Sequence, residues 1–212
     1  TCLSRNWNTK KFGGFGVLLN DILFNALLWG LFDKQKAIEN IQAVMVWQTD
    51  AGNFPCLVTG NDQWLDRSQP PIATWVVWNL WKRWRDDSFI HNYFYALLKN
   101  HEWWWNKRSL SNTGLVAYGT SKYQGSGLYK GTKLAAKNES TMDNSPVHDP
   151  APFDPETGLL LSADVGLNSL LCLDGELLHG MAVYLGESEK ADFLKNKVDN
   201  LRLKISEWLW DE

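Results

Sequence analysis

Cysteine and histidine are scarce in this chain, and each shortage excludes a class of protein. The three cysteines, Cys2, Cys56 and Cys172, are far apart and odd in number, so neither a disulfide framework nor a zinc-ligand spacing can be drawn from them. The four histidines, His91, His101, His148 and His179, fall on different segments without an HxxxH or related pattern. No metal site is expected and no cofactor is called for. Charge of one sign is also lacking: 21 Lys and Arg stand against 24 Asp and Glu, a formal net charge of −3, which provides no cationic field for nucleic acid or anionic lipid. Long apolar runs are missing too. The nearest, Val17 to Phe32, is interrupted by Asn20, Asp21 and Asn25 and falls short of the ~20 residues that a bilayer requires. The chain opens on Thr1 with no basic segment leading into an apolar one, so no signal peptide is legible. With so few cysteines, a reducing, cytoplasmic setting is the expectation.

What the chain has in abundance is tryptophan, 13 of 212 residues, in clusters such as Trp75, Trp78, Trp81, Trp84 and Trp103, Trp104, Trp105. Helical spacing accounts for most of them as core anchors, although an indole face also stacks on sugar rings. The apolar period predicts a first helical hairpin, from Val17 to about Leu31 and from Lys34 to Trp47. A second is predicted over Ile72–Trp84 and Phe89–Trp105, around a polar turn in which Ser88 or Asp87 caps the following helix. A third is predicted over Asp164–Tyr184 and Glu187–Leu209, with Gly186 as the C-cap between them. No strand is convincing, so the fold class is all-α. Two connections are long, Thr49–Pro71 and Lys107–Asp154, and the second is too long for an ordinary link. Short turns alternating with long loops place the long loops at one end of an assembly of antiparallel helices, where a site would draw on several loops at once.

The run Lys137-Asn138-Glu139-Ser140-Thr141-Met142-Asp143-Asn144-Ser145-Pro146, followed by His148 and Asp149, resembles the general-acid motif of glycoside hydrolase family 63. Other pieces agree in order: Asn20-Asp21, Gly52-Asn53-Phe54-Pro55, Asp66-Arg67-Ser68-Gln69-Pro70-Pro71, His101-Glu102-Trp103-Trp104, Tyr118-Gly119 and Asp164-Val165-Gly166-Leu167-Asn168. The resemblance runs from about residue 13 to the end, and within the family it is nearest to the bacterial α-glucosidase and mannosylglycerate or glucosylglycerate hydrolase types. It implies one domain over residues 1–212, half of an (α/α)6 toroid. It also implies an inverting α-glycosidase acting on an α-glucoside or α-mannoside, with Asp143 as general acid. The family's general-base Glu lies in the last of its six hairpins, so here the base is expected outside this chain, and the chain alone is expected to be inactive.

Gln69, Arg67, Tyr118, Asn144, Asp21 and Glu139 are the substrate-binding candidates. An amide and a guanidinium just before a helix can hydrogen-bond vicinal hydroxyls or a carboxylate, although Arg67 can equally pair with Asp66. Tyr118 either stacks on or donates to a sugar, or packs. Leu18 stands where relatives carry Trp, and Cys56 where some carry His. Glu139 and Asp149 are available to raise the Asp143 pKa as like charges, whereas an Asx turn or helix cap is the non-catalytic reading of Asp143. A non-catalytic carbohydrate-binding or interaction half-barrel is the alternative function. Half a toroid leaves open edges, with Leu19, Leu23, Leu27, Val183, Leu201 and Leu209 as candidate edge residues. The expected cover is the rest of the barrel or a second copy of the chain.

Overall fold

A computed structural model of the protein describes residues 16–142 and 145–211. Among these residues the chain order is β1 (Gly16–Leu18), α1 (Leu19–Trp29), α2 (Lys34–Met45), β2 (Leu57–Thr59), α3 (Ala73–Trp84) and α4 (Asp87–Arg108). There follow β3 (Ser109–Leu110), β4 (Leu115–Val116), α5 (Lys133–Asn138), a 3-10 turn at Pro146–His148, β5 (Phe153–Asp154), β6 (Leu159–Leu160), α6 (Val165–Leu185) and α7 (Ser188–Trp208). The helices form the three hairpins that the apolar period predicts, α1–α2, α3–α4 and α6–α7. Contacts group the chain into two compact units: residues up to Pro70 with Tyr118–Leu160, and Pro71–Ala117 with Leu161 onward.

In the first unit, Ile22, Leu23 and Ala26 of α1 and Ala37, Ile41 and Val44 of α2 are buried, the period-of-four spacing that joins two antiparallel helices. Asp33 caps α2 by accepting from the Lys36 N–H. The helix expected to begin at Val17 begins instead at Leu19. Gly16–Leu18 pairs antiparallel with Leu57–Thr59, setting Val17 opposite Val58, and this cross-strand pairing overrides the helical period. The other ribbon of this unit joins β5 to β6, and α5 packs on β6. No helix is predicted at α5, because six residues are too few for a period to register.

The second unit holds the other two hairpins. Asp86, extended at φ −99° and ψ 105°, accepts from the Ser88 N–H and caps α4. The expected caps, Ser88 and Asp87, already lie inside the helix. Asp164 caps α6 by accepting from the Leu167 N–H, and Gly186 closes it in the left-handed region at φ 75°. Of the seven clustered indoles, Trp81, Trp103 and Trp104 are buried in the core and Trp75, Trp78, Trp84 and Trp105 are half-buried; Trp81 meets Tyr184 edge-on at 4.7 Å, and the Arg108 guanidinium lies 4.5 Å over Trp103. Gly175 allows close helix packing, because a Cβ there would stand 2.7 Å from Val198 Cγ2 and 3.1 Å from His101 Cε1.

The apolar surface differs from the expected edges. Leu19, Leu23 and Leu201 are buried, and Leu27 and Leu209 are half-buried. Val183 is exposed as expected, and unforeseen apolar exposure falls at Phe24 and Leu28 of α1 and at Phe32 in the turn after it. None of the helices among the described residues is long and apolar enough to cross a membrane.

Candidate functional site

The two long connections meet within the first unit. A loop cannot satisfy its own backbone as a helix does, so its buried N–H groups require acceptors from elsewhere. Here buried carboxylates supply them. Glu139, fully buried, follows α5 and accepts from the Ser68 N–H through Oε1 and from the Gly119 N–H through Oε2, each at 2.7 Å. Asp66, also buried, accepts through Oδ2 from Arg67 Nη1 at 2.7 Å and from the Thr120 hydroxyl at 2.6 Å, while its backbone carbonyl accepts from the Ser121 N–H. Arg67 is 0% exposed; its Nη2 donates to the Leu128 carbonyl at 2.9 Å and its guanidinium lies 4.4 Å over the Trp64 ring. Gly127 makes room for this node, since a Cβ there would fall 1.9 Å from Asp66 Oδ1. The thiol of Cys56 sits in the same neighbourhood. Burial pushes its pKa up to about 12, with Asp66 and Glu139 adding to the rise and Arg67 opposing it.

Gln69 is buried at the end of the first long loop. Its Oε1 accepts from the Asn20 N–H at 2.8 Å, supplying from a distance the cap that the hydrocarbon side chain of Leu18 cannot give. Asn20 Nδ2 donates weakly to the Pro70 carbonyl at 3.4 Å, and its buried Oδ1 has no partner among the described residues. Asp21, next along α1, is exposed.

Tyr118 is 3% exposed and meets the buried His148 ring edge-on at 5.4 Å. Lys137 Nζ bonds the Asp149 carboxylate, and this bond is the leading cause holding the exposed Asp149 below the usual carboxylate range. Asp149, expected as a like-charge neighbour of the acid, is thus neutralised by an ion pair of its own. Asp143 and Asn144 lie outside the described residues. Of the other candidates, Gln69, Arg67, Tyr118 and Glu139 come together in the interlocked loops. Arg67 and Glu139 are committed to protein partners, so their polar atoms are not presented to solvent. Thr120 and Gly127 are not singled out by the sequence, and Asn20 only as part of the Asn20-Asp21 pair; for Gly127 the signal is the glycine-rich stretch Gly125, Gly127, Gly131. Among the described residues no group of three or more His, Cys, Asp or Glu could hold a metal ion.

The pattern of the mannosylglycerate hydrolase MGH1-like glycoside hydrolase domain matches residues 16–212, nearly the whole chain. The chain belongs to that family. Solved structures agree in fold. A GH63 mannosylglycerate hydrolase from Thermus thermophilus, in complex with Tris and D-glycerate, superposes with a TM-score of 0.71 at 21% identity over 92% of this chain. The same hydrolase in complex with glucose gives 0.68 at 22% identity over 95% of this chain. An uncharacterized conserved protein from the same organism gives 0.70 at 23% identity over 94%. The fold class is therefore the mostly helical, partial (α/α) toroid expected from the family 63 resemblance. This family member spans only 58%, 59% and 58% of the length of those three proteins, respectively.

Proposed function

We propose that this chain contributes the general-acid half of an inverting α-glycoside hydrolase whose substrate is an α-glucoside or α-mannoside. The observation that carries the reading is the family match over residues 16–212, a span that includes the Lys137–Pro146 run. In the proposed reaction the Asp143 carboxyl gives its proton to the glycosidic oxygen as the bond from that oxygen to the anomeric carbon breaks. A Glu outside this chain removes a proton from water attacking the opposite face, and a gap of roughly 6.5–9.5 Å between the two carboxyls leaves room for that water.

Gln69 is the best-supported sugar contact. Its carbonyl is fixed by the Asn20 amide, which leaves the Nε2 end of the side chain to donate to a hydroxyl. Asp21 and Asn144 are assigned to the same sugar, and Tyr118 to the wall behind it, whereas Arg67 and Glu139 hold the loops. The neighbours in complex with glucose and with D-glycerate support a hexose joined to a small acidic aglycone as the ligand class. The buried free thiols of Cys56 and Cys172 suit a reducing, cytoplasmic location.

The test uses the complete polypeptide that carries this chain. Asp143→Asn should abolish turnover of an unactivated α-glycoside while binding, read by calorimetry with the free sugar, persists. Proton NMR of the first-formed product should show the inverted anomer. Turnover near the wild-type rate in Asp143→Asn would remove the acid assignment. The 212-residue chain alone is expected to show no turnover, and robust hydrolysis by it would refute the division of the two carboxyls between halves.

A further inference from the structure

Glu139 occupies an unusual position relative to the proposed site. The two amides it holds belong to Ser68 and Gly119, the immediate neighbours of Gln69 and Tyr118. Its own backbone leads directly toward Asp143. That path is fixed: the Thr141 N–H bonds the Asn138 carbonyl, Thr141 adopts the left-handed region at φ 66°, and the Met142 N–H bonds Ser140 Oγ, whose hydroxyl donates to the Lys137 carbonyl. Beyond it, the Ser145 N–H bonds the Met142 carbonyl, so the residues flanking Asp143 and Asn144 are tied to each other. Upstream, α5 is capped by Thr132 and buries Ala135 and Ala136, which anchors the carboxylate's own base.

Resting on the hydrolase reading above, we propose that Glu139 is a positioning residue: without touching the sugar, its carboxylate sets the acid segment in register with the Gln69 and Tyr118 loops. The chemistry demands a carboxylate at this point. Both donors are backbone N–H groups with no alternative orientation, and only a group with two acceptor oxygens answers both. Glutamine would turn an NH₂ toward one of them. Aspartate, one methylene shorter, retains the charge but reaches only one.

The experiment compares Glu139→Gln with wild type in the complete polypeptide on two substrates: an α-glycoside with a poor leaving group, which depends on the acid, and the corresponding α-glycosyl fluoride, which does not. Displacement of the acid by about 1 Å costs on the order of 10²-fold in rate. The expected result is that loss on the glycoside, with the fluoride retained within a few-fold. Equal loss on both substrates, or on neither, overturns the positioning role. Amide hydrogen exchange gives a second reading that does not involve turnover: the Ser68 and Gly119 amides should exchange at least tenfold faster in Glu139→Gln, with those of α6 and α7 unchanged. Unaltered exchange at the two amides overturns the clamp. Should Glu139→Gln not fold, Glu139→Asp carries both comparisons with smaller changes. A wild type that hydrolyses neither substrate counts against the hydrolase reading itself, and the exchange measurement then decides the clamp on its own.

Discussion

Asp174 and Glu139 are both carboxylates with almost no exposure, 3% and 0%, and their surroundings differ as their two units differ. Asp174 projects from α6 toward His101 on α4, with Oδ2 at 2.7 Å from Nδ1, so a side chain answers a side chain between helices whose backbones are already satisfied. Glu139 answers backbone amides between loops. In the helical unit, burial follows an apolar period, and a polar pair is an inclusion within it. In the loop unit, the polar groups are the framework, and the apolar residues Cys56, Leu57 and Trp64 fill in around them. The first arrangement tolerates local error better, because each helix retains its own hydrogen bonds when a neighbour shifts.

Two glycines put that contrast to the test with the largest expected effect. Gly127→Ala would drive a Cβ to 1.9 Å from Asp66 Oδ1, and Gly175→Ala to 2.7 Å from Val198 Cγ2. Overpacking a filled interior costs typically 1–3 kcal/mol, so about 3 kcal/mol is expected for Gly127→Ala and about 1–2 kcal/mol for Gly175→Ala, read by urea unfolding. A reversed order would break the claim that the loop unit is the less forgiving. A smaller effect compares caps. Asp164→Ala removes a local cap from α6 and should cost about 1 kcal/mol. Gln69→Ala removes the distant cap from α1, should cost about as much in stability, and should in addition weaken sugar binding, which Asp164→Ala should not.

The thiols give the mildest test, one of reactivity. In a Cys2→Ser background, burial first of all raises Cys56 to about 12 and Cys172 to about 11, so alkylation of the native protein should stay slow through about pH 9 and reach Cys172 first as pH rises. Because the native thiol of Cys56 is held protonated, its contribution to stability is whole below the ordinary value of 9.0 and declines as pH rises toward about 12. Earlier reaction of Cys56 would contradict its enclosure by the loops.

The same contrast explains what was legible in the sequence. The three hairpins were, because Leu23, Ile41, Val77, Leu97, Leu171 and Leu194 fall on periods that a helix alone can produce, and each of these residues is buried. The ribbons were not, being two or three residues per strand, and Val17 was drawn into a helix by its neighbours. At the site, the motif resemblance picked out Gln69, Tyr118 and Glu139 as residues that belong together, but not how. The partner of Glu139 at Ser68 is 71 residues away, and a backbone amide carries no sequence signal of being the one in need. Thr120 was invisible for a related reason: a loop threonine is unremarkable until Asp66 is found beside it.

The first unit is assembled from two stretches of chain separated by Pro71–Ala117. On the ribosome this imposes an order of events. At roughly 5–20 residues per second, the Ser68 amide waits roughly 4–14 s for Glu139, 71 residues downstream, to be synthesised. The intervening α3–α4 hairpin emerges within the same interval, and α6, against which both of its helices pack, comes later still. The loops that carry Gln69 and Arg67 therefore emerge early and close late, and during that interval the guanidinium of Arg67 has neither the Leu128 carbonyl nor its final enclosure. Codon choice and chaperone attendance between Pro71 and Glu139 thus bear on how much of this protein reaches its native state, independently of how stable that state is once formed.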